Sequence, residues 1–120
     1  AYEDGKLFFH AARAGHKLDA IGRSAKASFC VIAQDDVVQR TFTTHFRSAI
    51  VFGKVRVLTD DGEKRHALQC LVRKYSPGYL AEGDDEIEGS WERVCALELA
   101  VEHMTGKAAL EIAEERARTT

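Results

Sequence analysis

Proline is almost absent from this 120-residue chain, occurring once at Pro77, and tryptophan and methionine occur once each, as Trp91 and Met104. Long apolar runs are missing too. The longest, Phe29-Cys30-Val31-Ile32-Ala33, has five residues, against the roughly 18 that a membrane-spanning helix needs. That excludes a helical membrane span. No G-x-x-x-x-G-K-[ST] or G-x-G-x-x-G pattern occurs, which excludes a P-loop and a dinucleotide fingerprint, and there are no repeats or low-complexity segments. Three cysteines, Cys30, Cys70 and Cys95, form an odd set without a C-x-x-C pair, and in this reading none stands at a zinc-ligand interval from a histidine. No disulfide framework and no metal site are expected, and a reduced cytoplasm fits best. No basic segment followed by an apolar stretch opens the chain, so no secretory signal is visible in it.

What is present is the composition of one globular domain over residues 1–120, with 45% hydrophobic and 30% charged residues. The net charge of −2 gives no general attraction to nucleic acid. Its distribution is uneven. Residues 1–59 carry nine Lys/Arg against five Asp/Glu, whereas residues 60–120 carry eight against fourteen, so an anion site is expected in the first half.

Asp4-Gly5 is suited to a tight hairpin turn, because both central residues need positive φ, and Leu7 to His10 reads as the strand after it. No strand is read before that turn, so an N-terminal strand is expected to precede the chain. Ala11 to Ala27 is helix-prone, and Ser28 to Ala33 reads as a strand buried on both faces, closed by Gln34-Asp35-Asp36. Thr41 to Leu58 is the longest β signal. Its large apolar residues sit at even positions before Gly53 (Phe42, Phe46, Ile50, Phe52) and at odd ones after it (Val55, Val57), which predicts a bulge or barrel corner at the glycine. Asp60-Asp61-Gly62-Glu63 starts an amphipathic helix that Pro77-Gly78 stops. Gly83 to Trp91 is expected to be an acidic short helix or loop. From Val94 the odd positions alternate with Glu98 and Glu102, a strand with one wet face, before Met104-Thr105-Gly106-Lys107 turns the chain into a terminal helix over 108–118. Cys30 and Cys95 are expected as buried apolar filler, and His66 and His103 as ordinary surface or loop residues.

Two constellations carry candidate chemistry. In Phe9-His10-Ala11-Ala12-Arg13-Ala14-Gly15-His16-Lys17, a strand ends at His10, Gly15 opens the turn, and Lys17 sits on the first turn of a helix. Free backbone N–H groups and the positive helix end favour a phosphate there, with Arg13, His16 and Lys17 as donors. A solvated surface turn is the competing reading. In Thr43-Thr44-His45-Phe46-Arg47-Ser48, alternate side chains share a face, and Arg47 on a buried strand requires an anion or a carboxylate. Flavin mononucleotide (FMN) would use both groups, Lys and Arg clamping the phosphate while small hydroxyl residues reach the ring edge. His10 or His16 could donate a proton beside a reduced flavin, and His10 is the candidate catalytic residue.

Leu7-Phe8-Phe9-His10-Ala11-Ala12 with Gly15-His16-Lys17, Ser28-Phe29-Cys30-Val31, the run from Thr43 to Lys54, and Glu102-His103-Met104-Thr105-Gly106-Lys107 follow one another in order. Together they resemble the nitroimidazole-resistance branch of the pyridoxamine 5'-phosphate oxidase-like flavoproteins. The resemblance implies a mainly β fold with flanking helices, the FMN-binding split β-barrel. It also implies a homodimer with FMN at the interface and an oxidoreductase acting on a small-molecule substrate such as a nitroaromatic compound. Lys17 and His16 would contact the phosphate; His10, Arg47 and Ser48 would lie near phosphate or flavin. Lys107, after Thr105-Gly106, could reach a cofactor across a dimer interface, although a lysine at a helix start needs no such role. His45 stands where that branch shows Tyr, and the family's further helix and two strands before the position of Tyr2 are not in this sequence. A non-catalytic flavin- or heme-binding module and a deazaflavin-dependent reductase are the alternatives.

Overall fold

The computed structural model describes the backbone of residues 1–119 and the side-chain surroundings of residues 1–115. The elements are β1 (Tyr2–Glu3), β2 (Lys6–Ala12), α1 (His16–Arg23), β3 (Lys26–Val38), a 3-10 turn (Gln39–Thr41), β4 (Thr43–Val57), α2 (Asp61–Tyr75), α3 (Leu80–Ser90), β5 (Val94–Ala108) and α4 (Leu110–Thr119). The strands form one sheet in the order β1-β2-β5-β4-β3. Two compact units divide the chain, one of Ala1–Ala27 with Gly53–Val101 and the other of Ser28–Phe52 with Glu102–Thr120.

The first unit opens on the expected turn: Asp4 and Gly5 both have positive φ (48° and 77°), and Tyr2 pairs with Leu7 and Glu3 with Lys6. The expected absence of a strand before this turn is corrected. The two residues of β1 fill that place, and the Ala1 carbonyl accepts from Phe8 N at 2.7 Å. β2 then pairs antiparallel with β5, Leu7 opposite Leu99 and Phe9 opposite Leu97. The helix expected over 11–27 is shorter. Ala11 and Ala12 extend β2, because β5 supplies partners in Cys95 and Val94, and the helix is confined to His16–Arg23.

Asp60 caps α2, its carboxylate accepting from Glu63 N at 2.9 Å, and α2 lies against β2 and α3. Phe8, Leu58, Ala67, Leu68, Cys70, Ile87 and Ala96 form the core between these elements. Trp91 ends α3, with the Lys64 ammonium 4.3 Å from its ring centroid and donating to its carbonyl at 2.8 Å. Glu98 was expected on a wet face but is 5% exposed. Its charge is tolerated because Arg56 on β4 donates to both carboxylate oxygens, at 3.1 and 3.2 Å, while Lys6 lies 3.8 Å away.

Gly53 marks a close approach rather than a change of parity. Val51, Gly53 and Val55 are all buried, whereas Ile50 and Phe52 are exposed, so the alternation runs unbroken through the glycine. A Cβ at Gly53 would stand 2.0 Å from the Ala100 carbonyl oxygen.

In the second unit the expected burial of Ser28–Ala33 is reversed. Val31 is 43% and Ile32 64% exposed, and Cys30 is exposed rather than buried filler. β3 also runs past Asp35 and Asp36. It is the edge strand of the sheet, where charged side chains are admissible, and Gln34 donates to Asp36 at 2.8 Å. Met104–Lys107 was expected as a turn but continues β5, because β4 supplies partners: Ala109 N donates to Phe46 O at 2.9 Å, and Gly106 faces the Ser48 carbonyl. α4 follows as the expected terminal helix.

Candidate functional site

Four of the seven candidate residues lie in the first unit. His10 is exposed near the end of β2, and Gly15 holds φ 138°, a conformation that side chains other than glycine's rarely adopt, as the N-cap of α1. No side chain caps that helix, so its first N–H groups are open to a ligand, and His16 and Lys17 are its first two residues, both exposed. Arg13 pairs with the exposed Glu92 at 3.8 Å. Among the described residues these basic side chains are thus little spent on carboxylates, and the donor chemistry fits a phosphate monoester.

The other three belong to the second unit. Arg47 is exposed rather than buried, so it needs no buried counter-charge, and it donates to the Gln34 amide oxygen at 3.4 Å. Ser48 is half-buried on β4, its carbonyl beside Gly106, which precedes the exposed Lys107 on β5. Pairing of β4 with β5 therefore brings Ser48 and Lys107 to neighbouring positions, as their separation in sequence does not reveal.

A cavity of about 640 Å³ in the first unit opens between α2 and α3. Leu68, Val72, Tyr75 and Ile87 give it apolar walls, His10 reaches it from β2, and Glu82 and Glu86 supply carboxylates.

A second group of reactive side chains was not anticipated. Glu3, His66 and Cys70 converge where β1 meets α2. His66 Nε2 is 2.7 Å from one Glu3 carboxylate oxygen, and the Cys70 thiol donates to the other at 3.3 Å. Arg73 donates to the same sulfur at 3.2 Å. The hydrogen bond from His66, and then that from Cys70, hold the Glu3 carboxyl below the ordinary carboxylate range. Burial, followed by the bond to Glu3, pushes the Cys70 thiol up. The reading that no cysteine stands at a ligand interval from a histidine is thereby corrected: His66 and Cys70 are four apart on α2, hence on one helix face. That spacing was the legible signal; the contribution of Glu3 from another element was not.

Residues 1–108 match the family model of pyridoxamine 5'-phosphate oxidase, and the chain belongs to that family. Its fold class is accordingly the mainly β split barrel with flanking helices. No curated protein is a significant match. Among solved structures, the chain is similar to a candidate 5-nitroimidazole antibiotic resistance protein from Bacteroides thetaiotaomicron, with 25% identity and a TM-score of 0.64 over 88% of this chain and 62% of that one. It also shares its fold with a FAD- and heme-binding protein from Mycobacterium smegmatis (24% identity, TM-score 0.70, 91% and 56% covered). A flavocytochrome from Azotobacter vinelandii is a third (19% identity, TM-score 0.68, 90% and 52% covered). The chain thus spans between half and two thirds of the length of these three proteins. Among the described residues no helix is long and apolar enough to cross a membrane.

Proposed function

We propose that this chain is the FMN-binding unit of a small oxidoreductase that works as a homodimer, with the cofactor at the subunit interface and a small nitroaromatic compound as acceptor. The observation that carries this reading is the set of little-compensated basic side chains around the uncapped N-terminus of α1, preceded by a glycine in a conformation few other residues reach. In a member of this family, such a junction suits the phosphate of a flavin nucleotide. His16 and Lys17 hold the phosphate, with Arg47, Ser48 and Lys107 as further contacts and His10 as the proton donor. The redox chemistry, hydride from a nicotinamide-type donor and electrons onward to the acceptor, is that of the flavin once bound.

The second unit supports the dimer. Among its described residues only Val51, Ala109 and Ile112 are buried apolar side chains, while Ile32, Val37, Phe42, Phe52 and Leu110 are 46% or more exposed. A unit that buries so little and exposes so much apolar surface suits association.

The test is FMN titration of the full chain by absorption and flavin fluorescence, with Lys17→Ala beside it. Loss of one charge-assisted phosphate contact weakens affinity by about 1.5 to 3 kcal/mol, roughly tenfold to somewhat over a hundredfold. A chain that never becomes yellow with FMN, or a variant of unchanged affinity, overturns the reading. A flavin-loaded chain that neither nicotinamide reduces indicates the non-catalytic module instead, and mass spectrometry of the released chromophore separates FMN from a deazaflavin.

A further inference from the structure

The Glu3, His66 and Cys70 cluster lies apart from the residues proposed to hold the flavin, and its donor set has its own chemistry. We propose that these three side chains form a binding site for a first-row divalent cation of the zinc type, with a fourth position open to water or a small ligand.

The ligand types argue first. One imidazole nitrogen, one thiolate sulfur and one carboxylate oxygen suit zinc and similar borderline cations, whereas magnesium and calcium take oxygen donors. Geometry argues second. The ligand atoms of the three residues lie within 4.8 Å of one another. A tetrahedral zinc with ordinary bond lengths needs donor separations of about 3.4 to 3.6 Å. Cys70 Sγ stands 3.5 Å from His66 Nε2 and 3.3 Å from Glu3 Oε2. The 2.7 Å contact of His66 Nε2 is with the other carboxylate oxygen, Glu3 Oε1, so the carboxylate turns to offer one oxygen to the cation as this hydrogen bond gives way to two metal bonds.

The supports are also in place. The hairpin at Asp4-Gly5 carries Glu3, and the His66 ring rests edge-on against Phe8, centroids 5.9 Å apart, which fixes its direction. Arg73 donates to Cys70 Sγ, a contact that opposes the upward push of burial on the thiol and supports the thiolate that a cation requires. On binding, the S–H proton leaves to solvent, a metal–sulfur bond forms, and no electrons are transferred. A cavity of about 160 Å³, lined by Glu3 and His66 with Asp4 and Glu63, gives the cation an entry and room for the fourth ligand. The bound cation would clamp β1 onto α2.

The experiment uses the full chain with Cys30→Ser and Cys95→Ser, which leaves Cys70 as the sole thiol, and titrates it with Co²⁺ and then Zn²⁺. The expected result is a thiolate-to-cobalt charge-transfer band that saturates at one equivalent and is displaced by zinc but not by magnesium. His66→Gln and Glu3→Gln should each lower zinc affinity by at least about tenfold. No band in a chain with unchanged far-ultraviolet circular dichroism overturns the proposal, as does a band indifferent to both substitutions, which would mark a lone thiol binding cobalt adventitiously. If the double serine background loses ellipticity, the native chain is compared with Cys70→Ser. The band must then vanish in the variant, and its persistence refutes the site. None of these readouts involves flavin.

Discussion

Substituting Gly53 by alanine adds one methyl group at the tightest approach between β4 and β5. That methyl would begin 2.0 Å from the Ala100 carbonyl oxygen, 2.9 Å from its carbonyl carbon and 3.2 Å from Leu99 Cδ1. Ordinary contact begins near 3.4 Å, so strand must move from strand by 1.4 Å, and the obstacle is backbone that no rotamer change can shift. Strands pair at about 4.8 Å, and a displacement on this scale breaks the local ladder. Losing about two backbone hydrogen bonds at roughly 1 kcal/mol each, with about 1 to 3 kcal/mol of packing strain, gives a cost of about 3 to 5 kcal/mol. Whole domains have only about 5 to 15 kcal/mol. The assay is urea unfolding followed by circular dichroism, with Gly89→Ala as the control. Gly89 lies in α3 with nothing within 4 Å of a Cβ, so alanine there should be neutral or stabilising by up to about 1 kcal/mol. A Gly53→Ala protein within about 0.5 kcal/mol of the parent would refute the steric argument.

Removing the α2 cap by Asp60→Ala should cost about 1 kcal/mol, read from the same unfolding curves. Glu98→Gln, which replaces a buried carboxylate by a neutral amide against Arg56 and Lys6, should destabilise by about 1 to 3 kcal/mol, with a smaller penalty at high salt because Arg56 and Lys6 are half-exposed. Glu3 has a depressed folded-state pKa, so its bonds to His66 and Cys70 contribute fully above the ordinary carboxylate range and are lost as pH falls through the folded value. The stability gap between parent and Glu3→Gln, measured by thermal melting, should therefore close on acidification; a gap that widens would contradict this.

Local grammar was legible wherever neighbours in sequence are also neighbours in space. The Asp4-Gly5 hairpin, the Asp60 cap of α2 and the glycine–lysine junction before α1 are each complete within a few residues, so their chemistry needs no distant partner. Burial of the strands was not legible. Phe29 to Ala33 looks like an interior strand, yet β3 is the edge of the sheet, and strand order is a property of the whole topology. Gly53 suggested a bulge because its cause, the Ala100 carbonyl, lies 47 residues away. Glu98 reads as a solvent residue until Arg56 is placed against it, and a buried carboxylate is acceptable only with such a cation.

The candidate site divides the same way. Its residues in order, with their family resemblance, were visible in the amino acids, because a glycine followed by a basic helix start is a pattern complete within a few residues. The meeting of Ser48 with Gly106, and of Glu3 with His66 and Cys70, required the sheet register and the packing of α2, since an interaction between residues far apart in the chain exists only after the loops between them have closed.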